Sequence, residues 1–188
     1  STLGMFEKAM RVGLLMGFAA ALSQGLRAEN WPAWRGPRGD GTSLETSVPV
    51  HWSAASNVVW KTAVPGVGHA SPIVWGDRIF TVSALTDNQD RVLLSLDCST
   101  GKILWQKTVV QSPFEPKHKL NSYASSTPAT DGLLVYATFL DGNQIVVAAY
   151  DFAGNRKWLV RPGAFESKHG FCSSPILFKD KVIVNGDH

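Results

Sequence analysis

Three histidines, His69, His118 and His169, come nearest to a reactive set in this chain. Imidazole serves as general base, proton carrier or metal ligand near neutral pH. Each stands upstream of a Ser/Thr-Pro pair, two, nine and five residues before Ser71, Thr127 and Ser174. Asn121, Ser122 and Tyr123 lie on one of the same approaches and add donors and acceptors. Converging there, these groups could meet a small ligand or a metal. The unequal offsets do not describe one repeated position, however, and favour loop histidines that are solvated or bonded to backbone. No catalytic residue and no metal ligand is therefore assigned. His69, His118, Asn121, Tyr123 and His169 stand as candidate rim or channel binding residues.

Other chemistry is weaker still. Glu115 with Glu166, or Asp40 with His51, could be drawn as acid–base pairs, but no spacing supports either. Arg38-Gly39-Asp40 spells a cell-adhesion tripeptide, a match short enough to arise by chance. The following glycine hints at a calcium loop, but the alternating acidic ligands and distal glutamate are missing. Cys98 and Cys172 are 74 positions apart, fit no metal spacing and fall in different repeats, so two separate thiols are expected.

The elements that must position these residues form a repeat. Three segments align on the Ser/Thr-Pro pair, "HASPIVWGDRIFTVSA" from His69, "SSTPATDGLLVYATFL" from Ser125 and "CSSPILFKDKVIVNGD" from Cys172. Each continues through a turn dipeptide, Gly76-Asp77, Asp131-Gly132 or Lys179-Asp180, into an alternating run over 78–82, 133–137 or 181–184. That pattern predicts a two-stranded hairpin. The first two segments add third and fourth strands, over 91–97 and 102–110, then over 144–151 and 156–163. Pro-to-Pro spacings of 56 and 47 residues and four strands per unit suit propeller blades. A β-sandwich is the rival, but it gives no reason for a near-repeat.

Between the third and fourth strands stands "LDCSTGKILW", echoed by "YDFAGNRKW". Asp97 and Thr100 can cap such a turn, and Gly101 accepts the positive φ of the reversal. Trp105 then enters the next strand, where a flat ring can lie between one blade and the next. The second copy, Asp151, Gly154 and Trp158, is one residue shorter and must form a tighter turn. Trp60 is a third such tryptophan without a preceding Asp-Gly turn, expected to sit on a lone last strand of a blade.

Residues 1–28 read as a secretory signal. Lys8 and Arg11 precede an apolar run of 11 residues, Val12 to Leu22, and then small residues. The run is shorter than the roughly 20 residues that span a bilayer. A buried amphipathic helix is the other reading. Without this leader 15 basic and 14 acidic residues remain, a balance that gives no case for nucleic acid as partner. Residues 29–57 form an extended Trp/Gly/Pro segment, with Trp31, Trp34 and Arg35 expected to pack on the repeats. Residues 58–188 hold the repeats.

At these residues the chain resembles the quinoprotein-type, PQQ-like β-propeller repeat proteins, the outer-membrane assembly propellers among them. "SLDCSTGKILW" matches their tryptophan-docking pattern A-x-D-x-x-T-G-x-x-x-W, with Ser95 for alanine. The second copy departs by one deletion and by Ala153 where threonine is usual. "NWPAWRGPRGDGTS" looks like the opening of many secreted bacterial members. The resemblance covers about residues 30–188. It implies an all-β propeller of seven or eight four-stranded antiparallel blades, of which about two and a half are present, so a fragment of a longer protein is expected. The structural docking set it implies is Trp60, Asp97, Thr100, Gly101, Trp105, Asp151, Gly154 and Trp158.

That family includes alcohol and glucose dehydrogenases and also non-catalytic assembly proteins. The dehydrogenases use an acidic base, calcium and pyrroloquinoline quinone, and some carry a vicinal Cys-Cys disulfide. This chain has no Cys-Cys and no assignable calcium set. The expectation is therefore an exported, periplasmic or extracellular, non-catalytic scaffold without a cofactor. It would bind protein or another macromolecule through rim loops, residues 109–122 above all. A fragment of a quinone-dependent dehydrogenase, with pyrroloquinoline quinone and calcium, is the alternative, and a sugar-binding or hydrolytic propeller is a weaker third.

Overall fold

The computed structural model describes residues 28–187, so the expected leader lies outside the described residues except for Ala28. No helix occurs among the described residues, so none is long and apolar enough to cross a membrane. The first blade comprises β1 (Ile73–Trp75), β2 (Arg78–Leu85), β3 (Asp90–Asp97) and β4 (Ile103–Gln111). The second comprises β5 (Ala129–Thr130), β6 (Leu134–Asp141), β7 (Gln144–Asp151) and β8 (Arg156–Val160). A last hairpin pairs β9 (Ile176–Phe178) with β10 (Lys181–Ile183). Both sheets are antiparallel meanders in sequence order, β1-β2-β3-β4 and β5-β6-β7-β8. The expected strand at 144–151 is β7 without change. The one at 156–163 stops at Val160, because Pro162 has no N–H to continue the ladder.

Strict alternation is absent from the central strands. β3 and β7 are buried along nearly their whole length on both faces: Leu93 of β3 and Val146 and Ala148 of β7 enter one shared core, while Val92, Leu94 and Leu96, or Ile145 and Val147, enter a second cluster on the other face. One core fills the space between the blades, with Ile73, Phe80, Val82 and Leu93 meeting Val135, Phe139, Val146 and Tyr150. A smaller core of Leu140, Ile145, Val147 and Phe171 joins the second blade to Val182 and Val184 beside the last hairpin.

The Ser/Thr-Pro pair, used above only to align the repeats, links one blade to the next. Ser71 donates its N–H to Thr127 Oγ1 at 3.0 Å, and Thr127 donates its N–H to Ser174 Oγ at 3.0 Å. Ser126 Oγ donates to the Ser173 carbonyl at 2.8 Å. Proline cannot donate, so the preceding residue carries the link at the start of each inner strand.

The N-terminal segment is anchored on the same inner strands. Trp31 and Val74 exchange backbone hydrogen bonds of 2.8 and 2.9 Å, and Pro32 accepts from the Thr130 N–H at 2.9 Å. Asn30 Oδ1 accepts from the Gly76 N–H at 2.8 Å. Trp31 rests on Gly36 and is half-buried. Trp34 differs from the expectation. It is exposed, with the Arg35 guanidinium 5.5 Å from its ring centre, so these two pack on each other.

Candidate functional site

Each hairpin from third to fourth strand carries an aspartate-capped turn. Asp97 Oδ1 accepts from the N–H groups of Ser99 and Thr100 at 3.0 and 2.8 Å and from both hydroxyls at 2.6 and 2.8 Å. Those bonds, from Ser99 first, hold its carboxyl down at about 2. In the shorter turn Asp151 takes the N–H of Asn155 at 2.9 Å, its Nδ2 at 3.0 Å and Lys157 Nζ at 2.8 Å. Lys157 and Asn155 hold its carboxyl far below the usual aspartate range. Asn155 thus supplies the donors that threonine gives in the first copy.

Each hairpin also bulges just before its tryptophan. Ser95 faces Trp105 and Leu96 faces Ile103, which leaves Leu104 unpaired. Ala149 faces Trp158 and Tyr150 faces Arg156, which leaves Lys157 unpaired. A bulge re-aims the side chain beside it. The Trp105 indole N–H donates to the Phe152 carbonyl of the second blade's turn at 2.9 Å, and the ring lies on Gly154. The Trp60 N–H donates to the Cys98 carbonyl in the first blade's turn at 3.0 Å, and its ring lies on Gly101 (φ 70°). Thr62 adds a bond to the Gly101 carbonyl at 2.7 Å. No strand runs through Trp60, so the chain there is an extended arm and not the expected last strand. Trp158 is half-buried, 5.9 Å from the Tyr136 ring.

Acid should report on these caps. Asp97 has a folded pKa below its ordinary value of 3.8, so its stabilising contribution is complete above that value. It is lost as pH falls from 3.8 through about 2. Asp97→Asn should therefore show a flatter loss of stability across this window than the unaltered protein, measured by urea unfolding at each pH. Parallel curves would refute the assignment.

On the opposite end of the blades, two of the three histidines meet. The rings of His118 and His169 are 5.7 Å apart, centre to centre, inclined by 53°. Asn121 Nδ2 donates to the His169 carbonyl at 2.7 Å, and Asn121 Oδ1 accepts from the Ser122 N–H and the Ser125 hydroxyl at 2.8 and 2.6 Å. His69 connects through its backbone, donating to the Ala124 carbonyl at 3.0 Å. Its imidazole is exposed and makes no ring contact with the pair. Tyr123 does not face a ligand space. It stacks on Phe114 at 3.9 Å, with Lys117 Nζ 4.9 Å from its ring.

That stack belongs to a group with no signal in the sequence. Arg91 is fully buried, forms an ion pair with Glu115, donates to the Ser112 carbonyl at 2.8 Å and lies 4.6 Å from the Phe114 ring. Glu115 is thereby engaged and takes no part in a pair with Glu166. The stretch 109–122, expected to supply a binding surface, is anchored at its ends, since Val109 and Val110 close β4 and are buried, as is Ser122, while His118, Lys119 and Leu120 between them are exposed. Trp75 was also missed as a contact, and its ring lies on Gly132 of the next blade.

Two further polar sets are committed, whereas the buried Asp90 Oδ1 and Ser95 Oγ have no partner inside the fold. Arg38 holds Glu29 through both terminal nitrogens, at 2.5 and 2.9 Å, and Asp40 caps Thr42, so the Arg-Gly-Asp turn is folded upon itself. An interblade cleft of about 560 Å³ is flanked by Arg161, but Arg161 is paired with Asp141 at 2.6 Å. Cys98 and Cys172 are unbridged. Among the described residues no three metal-ligating side chains gather.

The profile of the family described as outer membrane protein assembly factor BamB matches residues 49–161. Among solved structures, BamB from Moraxella catarrhalis aligns with a TM-score of 0.49 and 16% identity, over 65% of this chain and 35% of that one. This chain thus spans about a third of the length of that structure. No curated protein matches at a significant level. The repeated antiparallel blades and the matched profile together place this chain in the BamB family of PQQ-like β-propeller repeat proteins.

Proposed function

We propose that this chain is part of an exported, non-catalytic propeller that binds protein during outer-membrane assembly. The observation that carries this reading is the family match, which covers both complete blades. The use of the polar side chains supports it. Glu115, Asp97, Asp141 and Asp151 all serve caps or ion pairs, and none is free to act as a base. The tryptophans would dock blade on blade, and the partner would meet the rim that carries His118 and His169.

Deletion of the gene should lower the amounts of outer-membrane β-barrel proteins, and the full-length protein should restore them. Unchanged amounts in the deletion strain would overturn the reading. Export implies a mature chain starting near Gln24 or Glu29, and recovery of soluble protein with its leader intact would contradict it.

The quinone alternative is judged by fit. Calcium prefers six to eight oxygen ligands. The imidazoles of His118 and His169 offer nitrogen, and the rings of Trp60 and Trp105 already lie on turns. These residues do not fit pyrroloquinoline quinone with calcium. Titration of the full-length protein with both should give no saturable heat, and submicromolar calcium-dependent binding would establish the dehydrogenase instead.

A further inference from the structure

Two interblade connections carry the same dipeptide, Lys117-His118 and Lys168-His169, and the fold sets them side by side. Their juxtaposition is built. Asn121 holds the His169 carbonyl at 2.7 Å, and Gly170 lies so close beneath Lys117 that a Cβ there would sit 2.9 Å from Lys117 Cβ. His118 Nδ1 accepts the Leu120 N–H at 3.2 Å. The ring proton of the neutral imidazole therefore stands on Nε2, and the ring is a donor at its free end. This is the reverse of a metal-ligating histidine, which donates through one nitrogen and offers the other lone pair to the ion.

Charge on the two connections is one-sided. Lys117, Lys119, Arg161 and Lys168 stand there with two acids; Arg161 is paired with Asp141 outside the connections, and Glu115 is consumed by Arg91, which leaves three lysines. Glu166 is left as the single acid without an ion-pair partner among the described residues of these connections. Three lysines fall short of the roughly four to eight basic residues that hold a protein on an anionic membrane. Leu120, 76% exposed between them, offers an apolar contact on the scale of one side chain.

We propose that this patch binds an acidic segment of a polypeptide, whose carboxylates accept from His118 Nε2–H, Lys119 and Lys168. The proposal rests on the scaffold reading and names the chemistry of its partner. Opposite charges across such a rim steer association and weaken with salt.

The test uses full-length protein and a fluorescein-labelled peptide of eight glutamates, with a Gly/Ser peptide of equal length as reference. Saturable binding of the acidic peptide alone is expected, weakening as salt is raised. Lys119→Glu with Lys168→Glu should weaken it at least tenfold, with an unchanged melting temperature. Lys179→Glu, on the exposed turn between β9 and β10, should leave it within twofold. Equal effects at the two places would overturn the proposal, as would absence of saturable binding or equally tight binding to phosphatidylglycerol vesicles. If the double variant still restores outer-membrane proteins in the deletion strain, the patch is refuted and the scaffold reading stands.

Discussion

Arg91→Ala is expected to destabilise the protein by about 3–5 kcal/mol, the range for removing one partner of a buried ion pair. Arg91 has no exposed surface, and the Glu115 side chain opposite is only 10% exposed. Alanine would leave that carboxylate with little water and no counter-charge. It would also strip the Ser112 carbonyl of its donor and the Phe114 ring of its cover. The unaltered pair is not itself a strong asset, since Arg91 Nε lacks a partner inside the fold. Arg91→Met combined with Glu115→Leu should therefore lose less than Arg91→Ala alone. Urea unfolding of the two variants gives the comparison. A loss below about 1 kcal/mol for Arg91→Ala would show that Glu115 finds solvent, and that the connection is not fixed by the pair.

Trp105→Ala should cost about 3 kcal/mol, the low end of the range for a large aromatic, because its half-buried ring loses less than a fully buried one. Its ring sits 6.0 Å from Phe80 and on Gly154, and its N–H bonds the Phe152 carbonyl. Trp105→Phe separates the two contributions. It keeps most of the packing and forfeits one neutral hydrogen bond, roughly 1 kcal/mol. Gly154→Val should approach the loss of the tryptophan from the other side. Its φ of 83° is strained for valine, and a Cβ there would lie 3.0 Å from the Trp105 ring. A change below about 0.5 kcal/mol for Trp105→Ala is what a surface residue gives, and it would end the docking role.

The blades were legible because their signals are local. Gly76-Asp77 and Asp97 to Gly101 each fix a turn from neighbouring residues alone, and the strands between them follow. Arg91 was not legible. It opens the strand "RVLLSLD" as an exposed lysine or arginine commonly does, and its partner lies 24 residues away on a segment without regular structure. His118 and His169 were legible as candidates for one rim, but their direct meeting was not. Their offsets from the Ser/Thr-Pro pairs differ, yet connections of unequal length bring both rings to one place. Trp75 carried a faint signal, an aromatic just before one turn dipeptide that packs on the glycine of the next.

The rungs from Ser71 to Thr127 and from Thr127 to Ser174 all run in one direction, donor on one blade and acceptor on the next. Such a chain is coupled only between neighbours, as in a linear repeat array. Under a pulling force it should yield blade by blade, since breaking one rung and one intervening core leaves the others intact. Each rupture would release one repeat of 47 or 56 residues, roughly 150–200 Å of extended chain. The mechanical record of this protein would then be a staircase with unequal treads, its spacing set by the lengths of the loops that the hydrogen bonds ignore.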